Sequence, residues 1–458
     1  MAKPSSDAAP NAADASLGSA SDVLTYHLKP EHELRIEVDF DRQVTVKLLS
    51  GDAEIFGCEL PKGGAKTLSG VKCAIFTWHA AQIQIVGKPD ACYEAEASAA
   101  MRSYLNLHTA LEERRKAATT TTSPTTKGPR VLVVGNTDAG KSTVCKILCS
   151  YACRADAMHG GVAAAAGHDH WVPVFVDLDV GQNSVTPPGT ICAVPVDAPV
   201  DPVDGWPGEA PLVYYFGHAS PGENAAHYKA LVESMARVLA QRETDDVLAR
   251  AAGLVVNTMG WTDGLGYDLL LHAISTLSID IVAVIDHDKL TAQLKAHVGS
   301  QGGDVQVVKL PKSGGVVTRD TNFRKRARDR MIRSYFYGSR SELNPCASAI
   351  DASSFKVFRV GGGARAPNTA LPLGATSRMD PLRVAPLPMT RDLERCVLGV
   401  LHGDNAALGD ADVLSKPCAG IVCVTEVDAS RGKVHILQPS PGSLPSKLLL
   451  SGTMRWND

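Results

Sequence analysis

The chain has 458 residues, with 46 Lys+Arg against 49 Asp+Glu, 44% hydrophobic residues and 5% aromatic residues. At roughly 150 residues per domain, this length allows about three domains and a substantial buried core. A formal charge of −3 excludes a protein that coats nucleic acid by charge alone, yet leaves room for one basic patch. No apolar run approaches the ~20 residues of a membrane span, and the first residues lack the apolar core of a signal peptide, so no membrane association is expected. The eleven cysteines include no Cys-x-x-Cys pair, which points to reduced thiols in cytosol or nucleus rather than a disulfide framework.

Residues 1–24 lack periodicity and read as a disordered tail. A β domain with a trailing helix is expected over 25–116. Short alternating runs (Leu34–Val38, Val44–Leu48, Cys73–Thr77, Ile83–Val86) separated by glycine turns describe a small antiparallel sandwich, followed by a helix from about Ser98 to Arg115. The Thr-rich stretch 117–128 cannot bury a core and reads as a linker. From Pro129 the pattern changes to unalternating apolar strands (Val131–Val134, Val172–Val176, Leu254–Val256, Ile279–Ile285) interleaved with helical segments. Strands covered on both faces look like this, so 129–338 is predicted to be an α/β domain around a mostly parallel sheet. An insert rich in Ala, Gly and His, Ala155 to His170, reads as a surface loop. Short strands with Pro/Gly turns return over 339–458 (Phe355–Val360, Gly420–Thr425, Val434–Leu437), predicting a third, mainly β domain without a chemical motif of its own.

The strongest chemical signal is Gly135-Asn136-Thr137-Asp138-Ala139-Gly140-Lys141-Ser142, a full G-x-x-x-x-G-K-[ST] loop. Its glycines permit turns that aim successive N–H groups at phosphates, Lys141 reaches the terminal phosphates, and Ser142, with Thr143 beside it, offers a hydroxyl to Mg²⁺. A Val-rich strand precedes it and a helix from Lys141 follows, putting the phosphates of ATP at a helix N-terminus.

About 35 residues on, the apolar strand ending in Asp177-Leu178-Asp179 supplies an acid to hold Mg²⁺ or accept a hydroxyl proton. Asp179 is the first choice and Asp177, on the same face by alternation, the fallback. The window Arg319–Arg333 holds seven basic residues. Alone it reads as a localisation run or a solvated helix face. Beside a phosphate loop it reads as a lid, with Arg319 and Arg324 placed to neutralise charge on a transferring phosphoryl group. No Asn-Lys-x-Asp guanine-reading motif occurs, which disfavours a GTPase switch. Cys145, Cys149 and Cys153 form one helical stripe and read as core, and His168 and His170 have no third metal ligand within reach by sequence.

These residues resemble the Clp-type polyribonucleotide 5′-hydroxyl kinases, ATP-binding subunits of the pre-mRNA cleavage and polyadenylation machinery. The resemblance runs from about Leu28 to Trp456. It is carried by Glu33-Leu-Arg-Ile-Glu37, Ala53-Glu-Ile-Phe-Gly57, Phe76-Thr-Trp-His79, the loop Gly135 to Cys145, Leu178-Asp-Val-Gly-Gln182, Pro211-Leu-Val-Tyr214, Asn257-Thr-Met-Gly-Trp261, Leu310 to Val317 and Ile332 to Gly338. It implies ATP and Mg²⁺ as cofactors, a kinase centre in the middle domain, and nucleotide contacts from Glu33 and Lys72. It further implies that Gln182 and Trp261 touch the substrate, Trp261 by stacking on a base near the RNA 5′ end, a grip that tolerates any base. The implied partners are RNA with a 5′-hydroxyl end, other subunits of the cleavage complex and the tRNA splicing endonuclease, and the implied location is the nucleus. Some family members have lost kinase residues and act as ATP-bound scaffolds, which is the competing expectation. This chain departs from the family in Val185-Thr-Pro-Pro-Gly-Thr190, a stiffer loop than the usual Val-Ser-Ile-Pro-Gly-Thr, and in its longer insert and Thr-rich linker.

Overall fold

The computed structural model describes residues 23–96, 99–120, 126–154, 170–208, 210–302, 304–361, 380–403 and 409–457. These fall into two compact units, one made of the chain up to Ala53 together with Leu60–Glu96, the other of Glu54–Glu59 and everything from Ala97 onward.

The first unit is a β-sandwich. One sheet runs Val23–Leu28, Ala81–Val86, Val44–Gly51, Ala65–Leu68, and in the other His32–Val38 lies between Val71–Phe76 and Ala91–Glu96. The predicted alternation is what builds it: Val44, Val46 and Leu48 are buried while Thr45 and Lys47 between them are only partly so. The first strand begins at Val23, two residues inside the stretch read as tail.

The second unit opens with the hairpin Glu54–Glu59 and the helix Ala100–Thr120, which runs four residues into the Thr-rich stretch where composition predicted a break. Most of the insert 155–170, including His168, lies outside the described residues. The central sheet has the order Leu212–Tyr215, Thr190–Pro195, Val174–Asp177, Leu254–Asn257, Arg130–Gly135, Ile281–Ile285, Gln306–Leu310. Its last five strands are parallel, and the first two pair antiparallel along one edge. The P-loop strand Arg130–Gly135 is therefore central. Val131 to Val134 are fully buried, each worth about 1.5–3 kcal/mol relative to exposure. The parallel register brings Val133, Asp177 and Asn257 to one level at the carboxyl edge, where open α/β sheets bind ligands.

The C-terminal part is a sheet ordered Cys346–Asp351, Lys433–Gln438, Cys418–Asp428, Cys396–Leu401, Leu448–Arg455, Lys356–Val360, Val384–Leu387. It packs on the central domain through Tyr215, whose hydroxyl donates to the Val397 carbonyl and whose ring would collide with any side chain at Gly399. Among the described residues no helix is long and apolar enough to cross a membrane.

The helix Ala225–Asp245 starts at Asn224, whose side chain accepts from the His227 amide. The His227 ring is buried against Phe216, and neither of its nitrogens has a hydrogen-bond partner among the described residues. Burial, then the nearby His218, pushes its pKa down to about 3. A base depressed in the folded state binds fewer protons there than when unfolded. Its stabilisation is complete above the ordinary histidine value of about 6.5 and is lost as pH falls toward about 3. Denaturant titrations across that window are expected to show a stability loss in the wild type that is shallower in His227→Leu; identical slopes would contradict the assignment.

Candidate functional site

The loop between Gly135 and Lys141 is shaped by three left-handed or extreme backbone angles: φ 153° at Gly135, 57° at Asp138 and 95° at Gly140. Glycine adopts such angles without strain and aspartate tolerates the αL region better than most residues. Gly140 caps the helix Lys141–Ala152, and no side chain bonds the first-turn amides. An uncapped helix N-terminus facing the carboxyl edge of the sheet is an anion site. Ala139 is buried beneath it, and Ser142 and Thr143 sit half-buried on the first turn.

Lys141 is buried and donates to the carbonyls of Gly135 (3.0 Å) and Asn136 (2.9 Å). Burial pushes its ammonium below the usual lysine range. The leading opposing charge is Asp179, ahead of Cys145, Asp138 and Asp177.

The two acids divide their tasks by environment. Asp177, the last residue of its strand, is fully buried. It accepts from Ser184 (amide and hydroxyl, both 2.9 Å), from Asn257 Nδ2 (2.9 Å) and from the Asp179 amide (3.1 Å). Burial and the neighbouring Asp179 raise its pKa to about 6. Asp179 lies beyond the strand end, so strand alternation does not orient it. It is half-buried, and its Oδ1 accepts from Gly181 N and Gln182 N at 3.0 Å each. Asp177 is thus the enclosed acid of the two, and Asp179 the one partly open to the site. Asn257, on the strand between the acid and the P-loop, was quoted in sequence only as part of a motif; its contact with Asp177 depends on strand order.

The basic window is a helix, Thr321–Tyr337, capped by Asp320, which accepts from the Phe323 amide. It meets the P-loop at one oxygen. Asp138 Oδ2 accepts from Arg324 Nη2 at 2.6 Å and from the backbone amide of Arg319 at 3.0 Å. The Arg319 guanidinium lies 5.5 Å from the Phe323 ring and has Asp138 as its leading opposing charge, but of the two arginines it is Arg324 whose side chain hydrogen-bonds Asp138. Val316, just before the lid, sits 3.0 Å from where a Cβ on Gly140 would be.

Trp261 projects from the loop after Leu254–Asn257 and is 39% exposed. Its loop is pinned to the P-loop by Gly260 packing on Thr137 and by Thr262 Oγ1 donating to Asn136 Oδ1 at 3.1 Å. The six-membered edge of the indole faces Gly222. Gln182 turns its amide onto the Gly181 carbonyl, 2.7 Å.

Glu33 and Lys72 belong to the first unit. Glu33 is buried and accepts from Arg35 Nε at 2.7 Å, and Lys72 pairs with Glu37 at 2.7 Å. Cys145, Cys149 and Cys153 are buried, with thiols pushed up by burial, as a packing stripe requires. Among the described residues no group of three or more His, Cys, Asp or Glu could hold a metal.

Three family models match in succession: the N-terminal β-sandwich domain of polyadenylation factor over residues 27–118, the P-loop of mRNA cleavage and polyadenylation factor CLP1 over 135–338, and the pre-mRNA cleavage complex II protein Clp1 over 343–458. The Arabidopsis thaliana protein CLP1 homolog is 44% identical, covering 98% of this chain and 97% of its own. The chain belongs to the Clp1 family. Its human relative, the polyribonucleotide 5′-hydroxyl-kinase Clp1, is 39% identical over 94% of this chain and 96% of its own. Among solved structures, the wild-type Clp1p–Pcf11p complex superposes with a TM-score of 0.78 at 25% identity, covering 95% of this chain and 98% of that one. A second, concerning the Pcf11p–Clp1p interface and ATP loss in a glycine point mutant, gives 0.80 at 25% identity.

Asp138→Asn keeps tolerance of the αL angle and an acceptor oxygen but drops the charge that holds Arg324. The pair is part-buried, so the loss is about 1 kcal/mol, or roughly fivefold in the population of open lid. Tryptic cleavage after Arg319 and Arg324 in the nucleotide-free protein should accelerate accordingly, and wild-type cleavage rates would refute the latch.

Proposed function

We propose that the protein is an ATP-dependent polynucleotide kinase that transfers the γ-phosphate of ATP to the 5′-hydroxyl of RNA, working in the nucleus as a subunit of the pre-mRNA 3′-end cleavage and polyadenylation machinery. The observation that carries this is the convergence on one P-loop of an uncapped helix N-terminus, a buried lysine whose leading counter-charge is Asp179, and a lid arginine at 2.6 Å from Asp138. The names of the human and chicken relatives supply the acceptor, and the match to the Clp1p–Pcf11p complex supports a place among cleavage-complex subunits. The same machinery implies the nuclear location and, as the finer expectation, a link to the tRNA splicing endonuclease.

The amides after Gly135 and the Lys141 ammonium bind the phosphates, Lys141 leaving its loop carbonyls to do so. The site fits Mg²⁺ in that the donors are oxygens, the Ser142 hydroxyl and the Asp179 carboxylate. When bound, Mg²⁺ neutralises charge on the phosphates. Asp179 orients the 5′-hydroxyl and accepts its proton as the oxygen attacks in line. Arg324, in the first turns of its helix, leaves Asp138 for the transferring group, and Arg319 follows from the segment just before the helix. Trp261 stacks on a base at the RNA 5′ end, with Gln182 beside the acid loop contacting substrate. Glu33 and Lys72 are assigned to the nucleotide by family resemblance alone.

A second reading, an ATP-holding scaffold without transfer activity, draws on the fact that Lys141 and Arg324 are both engaged by the P-loop itself. Incubation with γ-labelled ATP and a 5′-hydroxyl oligoribonucleotide separates the two: end-labelled RNA supports the kinase, and tight ATP binding without labelled RNA supports the scaffold. Arg324→Ala is expected to lower kcat by about a thousandfold, on the scale of arginine fingers, while ATP affinity stays within about threefold; equal losses in both would remove Arg324 from the transition state. Trp261→Ala should weaken RNA binding by about 1–3 kcal/mol, with the RNA-independent ATPase rate unchanged.

A further inference from the structure

The loop that carries Asp179 does not stand on the kinase domain alone. Val180 accepts from the Gly189 amide (2.8 Å), and the Gly189 carbonyl accepts from the amides of both Phe216 and Gly217 (2.8 Å each). The Gly217 carbonyl in turn accepts from the amides of Thr453 (2.8 Å) and Met454 (3.2 Å), on the C-terminal strand Leu448–Arg455. Backbones approach this closely only without side chains. A Cβ on Gly452 would collide with the Gly217 carbonyl, one on Gly189 would meet Met454 Cγ at 2.9 Å, and one on Gly181 would meet the Ala219 carbonyl at 2.7 Å. Thr453 Oγ1 and His218 Nδ1 add a side-chain tie of 2.9 Å on the same segment.

We infer that the C-terminal β sheet is a positioning element for phosphoryl transfer: through the backbone stack Gly452–Gly217–Gly189, its strand Leu448–Arg455 sets the height of the loop that presents Asp179. A catalytic carboxylate displaced by about 1 Å can lose about a hundredfold in rate without any change in substrate binding. The P-loop amides and Lys141 lie outside this stack, so the direct phosphate contacts do not run through it, and Asp179, the leading counter-charge of Lys141, is the link between the two. This assigns a task to a region that carries no chemical motif, and for its kinetic readout it rests on the kinase reading above.

Gly452 is the clean place to test it. Its φ is not in the left-handed region, so alanine is conformationally admissible and the only insult is steric, aimed at Gly217. Gly452→Ala should speed amide exchange in residues 178–190 and lower kcat about tenfold or more, with a smaller change in KM for ATP. Thr453→Val, which removes only the hydroxyl facing His218, should move both readouts in the same direction by less, and Thr453→Ser should restore them. Thr425→Val, exposed on the strand Cys418–Asp428, which Cys396–Leu401 separates from Leu448–Arg455, is the control expected to change neither. Should Gly452→Ala fail to fold, the Val/Ser pair at Thr453 carries the test. Wild-type exchange over 178–190 in folded Gly452→Ala, or in Thr453→Val if that pair must stand in, overturns the inference. Absence of RNA labelling by the wild type would instead remove the kinase reading, leaving the exchange result to decide this one.

Discussion

The constraint on which the site depends is a helix N-terminus kept free of side-chain caps. A helix leaves its first amides without partners, and most helices satisfy them with Ser, Thr, Asp or Asn at the cap. Here the cap is Gly140 in the αL conformation and the loop before it is bent outward at Gly135 and Asp138, so the amides stay directed at an anion. The central strand Arg130–Gly135, covered on both faces and paired in parallel on both sides, makes that loop a rigid shelf rather than a flexible turn.

Around the shelf, charge is distributed by burial. Asp177 sits where water does not reach, with four donated hydrogen bonds that spend its lone pairs on Ser184, Asn257 and the turn into Asp179. Asp179, one step outside, commits one oxygen to the amides of Gly181 and Gln182. Low dielectric makes the buried acid costly to ionise, and its donors repay part of that cost. The following loop, where this chain has two prolines, closes on itself: Asn183 Oδ1 accepts from Val185 and Thr186, and Thr190 Oγ1 donates to the Pro187 carbonyl. The acid loop is thus held from its own far end and from the C-terminal strand.

The lid works on a different principle. Its helix is mostly half-exposed, with only Ile332 and Phe336 buried, and Phe336 stacks on Trp456. The C-terminal end of the helix is anchored in apolar packing, while its N-terminal end is held to the P-loop by the single carboxylate of Asp138. An ion pair of this exposure is weak, so the end of the helix beside the P-loop is the end most easily moved.

Much of this was legible in the amino-acid sequence. The P-loop, its strand and helix, the sandwich alternation of Val44 to Leu48, the acid-bearing strand end and the basic window are local patterns, because φ preference, side-chain period and charge density act over a few residues. The sequence also carried the family resemblance, since Asn257 to Trp261 and the P-loop recur as contiguous motifs. What tertiary structure decided was pairing between distant segments: that strands Thr190–Pro195 and Leu212–Tyr215 turn antiparallel at the edge, that Asp177 rather than Asp179 is sealed in, that Asp138 receives Arg324 and the Arg319 amide from 181 and more residues away, and that Gly452 lies against Gly217. Such contacts depend on strand order and register, which are set by how whole faces pack, and no residue type or spacing near Gly452 announces them.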